Sequence, residues 1–146
     1  MMRIGTLFTN EVVTAGPQHS IGWVAGLMEQ HNVGSVVIVE QQRPVGIVTD
    51  RDLAIVLGTR AKEPHDLAVD VMSTPVTVVG QHEGVFKATQ VMKERGLRRL
   101  VVVDDLGRVI GLISLDDMLL LLARELQNLA EGVKAEVTAP AAANVG

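Results

Sequence analysis

The sequence predicts an α+β fold built from two similar repeats, each with the order strand, helix, strand, strand, helix. Sliding the chain along itself by 64 residues aligns matching residues, such as Val12 with Val76 and Val37 with Val101. A handover from strand to helix also occurs twice, at residues 46–52 and 111–117, where the shift has become 65. We therefore expect repeat 1 with its connector at residues 1–66, repeat 2 at 67–130 and a disordered tail at 131–146.

In the first repeat, hydrophobic periodicity assigns the elements. Ser20 is expected to cap a helix whose apolar residues recur at helical spacing until Asn32. A continuous β-branched run follows, which is typical of a strand covered on both faces. The predicted elements are a lead-in at residues 7–9, a strand at 11–15, a helix at 21–31, strands at 34–39 and 45–48, and a short helix at 53–57.

The second repeat begins after a polar connector at residues 59–66 that contains Pro64. Its last helix carries more apolar surface than one small repeat needs, so we expect part of it to pack against another subunit. The predicted elements are a lead-in at residues 71–72, a strand at 76–79, a helix at 85–95, strands at 100–103 and 109–113, and a helix from 116 to about 130.

The composition narrows the class of protein. The chain has 146 residues, an apolar fraction of 47% and a formal net charge of −4, so it is long and apolar enough for a packed core but has no basic stripe for nucleic acid. It has no cysteine, which excludes disulfides, a thiolate nucleophile and sulfur-ligated zinc. We see neither a signal peptide nor a run long enough to span a bilayer, and expect a cytoplasmic protein without a membrane or metal partner.

The two handovers carry the polar residues of interest. Thr49 and Ser114 can each cap the following helix, and Asp52 and Asp117, at the third helical position, can reach back to the backbone of the cap. The first helical amides also carry a partial positive charge that suits a phosphate. Two interpretations remain open: a capping box worth about 1 kcal/mol of helix stability, or a pair of ligand contacts.

The two copies of this pattern resemble the tandem CBS domain family, also called the Bateman module. The segments that carry the resemblance are residues 46–52 and 111–117, the Asp-Val-Met-Ser-Thr-Pro-Val run at 70–76, and Leu-Arg-Arg-Leu-Val-Val-Val-Asp at 97–104. The resemblance covers residues 4–130. It implies two βαββα repeats related by a pseudo-two-fold axis, packed through their sheets, with two clefts that bind AMP, ADP, ATP or S-adenosylmethionine.

The resemblance also implies residue roles. Asp52 and Asp117 would hold ribose hydroxyls, and Thr49 and Ser114 would face phosphate. A basic residue before the second strand corresponds to Arg98 or Arg99, where the first repeat has only Gly34 and Ser35. Arg51 is read as a surface residue or an added cation near the first cleft, whereas its counterpart in the second repeat is Asp116. We therefore expect the cleft at Asp52 to bind nucleotide more tightly than the cleft at Asp117.

The resulting prediction is a stand-alone regulatory sensor that binds an adenosyl ligand and acts in trans on an unidentified partner protein. It is expected to be a homodimer and to need no obligatory cofactor. The alternative is a structural or protein-interaction module whose clefts stay empty. An enzyme is disfavoured because the sequence has no Walker A loop, no Gly-rich dinucleotide fingerprint and no triad-like cluster, and no catalytic residue is proposed.

Overall fold

The computed structural model describes residues 3–7 and 12–138 of the chain. The predicted order of strand, helix, strand, strand, helix is confirmed in both repeats. The elements are α1 (Ile4–Leu7), β1 (Thr14–Ala15), α2 (Ile21–His31), β2 (Ser35–Glu40), β3 (Arg43–Thr49), α3 (Asp50–Gly58), a 3-10 turn (Ala68–Asp70), β4 (Val78–Gly80), α4 (Val85–Arg95), β5 (Arg99–Val103), β6 (Val109–Ser114) and α5 (Leu115–Thr138).

Each repeat contributes a three-stranded sheet whose second strand lies in the middle. The sheets have the orders β1-β2-β3 and β4-β5-β6. The first strand is parallel to the second in both sheets, with Thr14 level with Val37 and Val78 level with Val101. The central strands β2 and β5 are buried on both faces, as their continuous β-branched runs predict.

The side chains on the two faces of the central strand β2 belong to two different hydrophobic clusters. Val36 and Ile38 of β2 pack against helix α2 and the start of α3. The alternate residue Val37 points the other way, where it packs against Val101 and Val103 of the second sheet. This alternation follows from the two-residue period of a strand. The two repeats are thus packed through their sheets, as the family resemblance implies.

The lead-in of each repeat, which in the structure begins at Ile4 or at Ala68, docks on the other repeat. The Ile4 N–H donates to the Glu83 carbonyl oxygen at 2.8 Å, and the Ala68 N–H donates to the His19 carbonyl oxygen at 2.8 Å. These two bonds are equivalent under the 64-residue shift. The next residues repeat the pattern, from Gly5 to Gln81 and from Val69 to Pro17 (2.8 and 3.0 Å). The lead-ins are therefore exchanged between the repeats, which ties the two halves together.

Gly46 makes room for one of these lead-ins. The side chain of Met72 lies directly against its Cα, so a Cβ at this position would collide with the Met72 side chain. Next to this contact, the backbones of Ile47 and Ser73 exchange hydrogen bonds of 3.2 and 2.9 Å. The Gly that opens the handover pattern thus lets a segment of the second repeat pack onto β3.

The extra residue of the second repeat lies in the turn between its last two strands. In the first repeat, Gln41 and Gln42 alone connect β2 to β3, and both have positive φ angles, of 50° and 68°. This is the backbone of a tight two-residue hairpin. The second repeat uses a longer turn between Val103 and Val109. The insertion predicted from the change in shift is confirmed.

Several predicted boundaries are wrong by a few residues. Helix α3 begins at Asp50 rather than Leu53, because Thr49 caps it and the acidic residues of its first turn suit a helix N-terminus. Strand β4 begins at Val78 rather than Val76. The described part of the first predicted strand is shorter, covering Thr14–Ala15, and residues 8, 9 and 11 of the predicted lead-in and strand lie outside the described residues.

The predicted end of the last helix is also wrong. Helix α5 continues from Ala130 to Thr138, so residues 131–138 of the predicted disordered tail are helical, and residues 139–146 lie outside the described residues. Glu, Lys and Ala in this stretch favour a helix, whereas Gly132 opposes it by about 1 kcal/mol and the β-branched Val133, Val137 and Thr138 oppose it by less. The chain divides into two compact units, Met1–Ile113 and Ser114–Gly146, so that α5 belongs to the second unit.

Candidate functional site

The first handover is a complete capping box. Thr49 is the last residue of β3 and the cap of α3. Its hydroxyl oxygen accepts from the Asp52 N–H at 3.1 Å, and Asp52 Oδ2 accepts from the Thr49 N–H at 2.9 Å. These bonds satisfy two of the orphan amides at the helix start. Within the described residues the other carboxylate oxygen of Asp52 has no protein partner, so the cap engages only half of this carboxylate.

The second handover has the same geometry. The Ser114 hydroxyl accepts from the Asp117 N–H at 3.0 Å, and Asp117 Oδ2 accepts from the Ser114 N–H at 3.0 Å. Both predicted caps are thus confirmed as caps. Their role in ligand binding stays a prediction.

The residues that start the central strands differ between the repeats. In the first repeat, the Asp50 N–H donates to the Gly34 carbonyl oxygen at 2.9 Å, and a Cβ built on Gly34 would lie 3.1 Å from Asp50 Oδ2. The small residue therefore accommodates a carboxylate at this place. In the second repeat the corresponding positions hold Arg98, which is exposed, and Arg99, which is half-buried at the start of β5.

These arginines have no anionic partner within the described ranges. The ion pairs found there join Arg108 to Asp104 and His82 to Asp105, and neither Arg98 nor Arg99 takes part in one. The exposed Arg51 also has no ion pair there, and its backbone N–H donates to Asp50 Oδ1 at 2.8 Å. No hydrogen bond or ion pair joins Asp52 to Arg98 or Arg99 in this part of the chain.

Residues 73–77 of the second repeat form hydrogen bonds both to β3, which ends at Thr49, and to β5, which starts at Arg99. Ser73 bonds to Ile47, two residues before Thr49. Four residues after Ser73, the Thr77 carbonyl oxygen accepts from the Val101 N–H at 3.2 Å. The parallel register of β4 and β5, continued back from Val78 and Val101, brings this segment level with Arg99.

Two cavities adjoin strand β1, and Val12 and Thr14 line both of them. The first, of about 280 Å³, lies between the first repeat and β6, and is lined by Val12, Thr14, Val39, Gln42, Val109 and Ile110. The second, of about 400 Å³, is lined by Val12, Val13, Thr14, Leu27, His31 and Val33. None of the predicted site residues lines either cavity. Val12 and Thr14 are two residues apart, which in extended backbone directs both side chains to one face, while Val13 lines only the second cavity.

Other candidate groups have local roles. His19 Nδ1 accepts from the Gly16 N–H at 2.8 Å, and its ring stacks on Trp23 with the centroids 5.4 Å apart. In residues 3–7 and 12–138 we find no cluster of histidine and carboxylate side chains that could hold a metal ion. The helices in these ranges are also too short or too polar to cross a membrane.

Comparison with known proteins identifies the relatives of this arrangement. The CBS domain family model matches residues 4–58 and 68–124. An uncharacterized protein of Methanopyrus kandleri is 39% identical over 80% of the chain, which spans 60% of that protein's length. The CBS domain-containing protein YhcV of Bacillus subtilis is 32% identical, over 81% of the chain and 84% of YhcV. A CBS domain protein of Pyrobaculum aerophilum, solved in complex with AMP, superposes with a TM-score of 0.73 at 26% identity, over 84% of this chain and 99% of that one.

Proposed function

Because the chain belongs to the CBS domain family, we propose that it is a regulatory sensor that binds an adenine nucleotide between its repeats and changes the activity of a partner protein in trans. The observation that carries the choice of ligand is the AMP complex of the Pyrobaculum protein, which has the same fold over nearly its whole length. Free AMP, ADP and ATP are the first candidates, and S-adenosylmethionine is a further one. We propose no catalytic role, and we place the protein in the cytoplasm as a homodimer.

The capping geometry supports ligand binding rather than competing with it. Each cap uses one carboxylate oxygen, Oδ2 of Asp52 or of Asp117, and leaves the second oxygen for another donor. A ribose offers two hydroxyl donors to such an oxygen, and a hydrogen bond to a charged acceptor is worth about 1.5–3 kcal/mol. In this proposal Asp52 and Asp117 hold ribose, while Thr49 and Ser114 stand next to phosphate.

The cations support an asymmetric pair of sites. Arg98 and Arg99 have no carboxylate partner in the described residues, and Arg99 starts β5, whose Val101 N–H donates to the Thr77 carbonyl oxygen. Planar guanidinium groups bind phosphate with paired hydrogen bonds. We propose that they meet the phosphate of a nucleotide held by Thr49 and Asp52, with Arg51 as a further cation. The counterpart positions, Gly34 and Ser35, offer no charge to a nucleotide held by Asp117.

We propose that a base bound in the cavity between the repeats is adenine rather than guanine; the residues proposed to hold ribose and phosphate do not line this cavity. Four of its six lining residues are valine or isoleucine, and only Thr14 and Gln42 carry polar side chains. A guanine edge has more donors and acceptors to satisfy than such a lining supplies, and each unmade bond costs about 1–3 kcal/mol.

Thermal unfolding with and without ligands tests the proposal. A ligand that binds only the folded chain stabilises it by about 2.7 kcal/mol at a concentration 100 times its Kd. We expect AMP, ADP or ATP to raise the Tm, and GMP, GTP and inorganic phosphate to raise it less. No shift with any adenosyl compound would favour the alternative of a protein-interaction module with empty clefts. Net turnover of ATP would contradict the absence of catalysis.

A further inference from the structure

Helix α5 carries a continuous apolar stripe on its surface. Six aliphatic side chains are between 45% and 79% exposed, and they follow one another at steps of three or four residues. They are Leu119, Leu122, Leu126, Leu129, Val133 and Val137. The stripe spans roughly 27 Å of helix at a rise of about 1.5 Å per residue. A soluble monomer rarely exposes a patch of this extent, so the stripe is expected to have an occupant.

The spacing of the stripe is that of a helix pair. From Leu119 to Val133 the steps are three, four, three and four, which is the a/d pattern of a two-stranded coiled coil. The flanking positions Ala123 and Ala130 are small, which lets a second helix approach closely. Such a seam is self-complementary, because one copy of the stripe fills the gaps of another.

The charges of α5 exclude the other common occupants of an amphipathic helix. The helix has five carboxylate side chains and two cationic ones. Helices that lie on membranes are rich in lysine and arginine, because the lipid surface is anionic, and nucleic acid has the same requirement. The stripe therefore fits an apolar protein helix rather than a lipid surface.

One acidic residue selects the orientation. Glu136 falls seven residues after Leu129 and so lies at the next seam position. In a parallel pair the two copies of Glu136 would face each other within the apolar seam, where like charges repel. In an antiparallel pair with its centre between residues 127 and 128, Leu126 of one copy faces Leu129 of the other, and Leu122 faces Val133. Glu136 then lies opposite Leu119 at the open end of the seam, away from the Glu136 of the other copy.

We propose that α5 of one chain pairs antiparallel with α5 of a second copy, through the stripe from Leu119 to Val137. The inference deepens the proposed homodimer by naming its surface and orientation. Leu119 and Leu122 lie within the CBS family match, whereas the rest of the stripe, from Leu126 to Val137, lies beyond it. Nucleotide binding does not depend on it.

Sedimentation of the full chain is the first test. The double variant Leu126→Glu/Leu129→Glu places two charges in the seam, and we expect self-association at least about 100-fold weaker. The control Leu120→Glu/Asn128→Glu adds the same charges off the stripe and should sediment like the wild type. A dimer that survives the seam substitutions overturns the proposal, and a monomeric wild type overturns both it and the homodimer. An unchanged Tm shift with AMP in the seam variant separates either failure from failure of nucleotide sensing.

Disulfide trapping is the second test, and it is clean because the chain has no cysteine of its own. Chains carrying Leu126→Cys and affinity-tagged chains carrying Leu129→Cys are mixed and oxidised. The antiparallel pair predicts the mixed disulfide as the main product. Disulfides only between identical chains would overturn the antiparallel orientation, and the absence of cross-linking would overturn the seam.

Discussion

The two repeats have the same helix caps and the same docking of their lead-ins, but they differ in the residues that start their central strands, next to the proposed phosphate sites. Their caps match, with hydrogen bonds of 2.9 and 3.1 Å at Thr49 and Asp52 and of 3.0 Å at Ser114 and Asp117. Their lead-ins dock through equivalent backbone bonds. The starts of their central strands do not match, because one holds Gly34 and the other Arg98. The two repeats thus share the backbone geometry of their caps and lead-ins, while the charge at the start of the central strand differs.

The strongest test of this difference compares Asp52→Ala with Asp117→Ala. Both variants lose the same pair of capping hydrogen bonds, but Asp52 is half-buried and Asp117 exposed, so the Tm of each variant is measured beside its binding. We expect Asp52→Ala and Arg99→Ala to weaken nucleotide binding roughly tenfold or more in calorimetry, because each removes a charged hydrogen bond worth about 1.5–3 kcal/mol. Asp117→Ala should matter much less.

A larger effect of Asp117→Ala than of Asp52→Ala would mean that the cations of the second repeat do not decide affinity. That ranking would contradict the asymmetry argued from Arg98 and Arg99.

The exchange of lead-ins can be broken at Gly46. We expect Gly46→Ala to lower the free energy of unfolding by about 1–3 kcal/mol, because its Cβ would overlap the Met72 side chain. The second substitution Met72→Ala should recover part of this loss in the double variant. Urea unfolding measures both effects.

Gly26 provides the matched control, since a Cβ there meets nothing within 4 Å. In the interior of α2, Gly26→Ala should raise stability by about 0.5–1 kcal/mol. If Ala at Gly46 were as harmless as Ala at Gly26, the tight docking of Met72 would be refuted.

The equivalence of the caps predicts equal costs for their removal. Thr49→Ala and Ser114→Ala should each destabilise the chain by about 0.5–2 kcal/mol, because each deletes one side-chain acceptor for a helix amide. The two values, measured by thermal unfolding without nucleotide, should agree to within about 0.5 kcal/mol. A cost at only one position would show that the caps differ in function despite their geometry.

The smallest expected effect concerns the longer turn of the second repeat. The Arg108 N–H, together with its guanidinium and the Leu106 N–H, lowers the pKa of Asp104. Because this pKa is lower in the folded than in the unfolded chain, its stabilisation is complete above the unfolded value of about 3.9 and is lost as the pH falls through the folded value. The Tm deficit of Asp104→Asn should therefore be full at neutral pH and shrink in acid. A deficit independent of pH would mean that the charge of Asp104 does not contribute.

Short-range features of this protein follow from its sequence alone. The caps at Ser20, Thr49 and Ser114 depend on residues three positions apart, so they can be recognised without knowing the fold. Continuous runs of apolar, mostly β-branched residues predict the buried central strands, because a strand covered on both faces has no solvent-facing side that requires polar residues. The internal repeat and the inserted turn residue can likewise be recognised in the amino-acid sequence.

The tertiary structure decided what depends on distant segments. The bonds from Ile4 to Glu83 and from Ala68 to His19 cross from one repeat to the other, and no local pattern specifies their partners. The same holds for Met72 against Gly46 and for the cavity where Thr14 meets Val109, since both arise when separate strands pack. Sequence periodicity determines which face of an element is apolar, but the packing of the whole chain determines what that face meets.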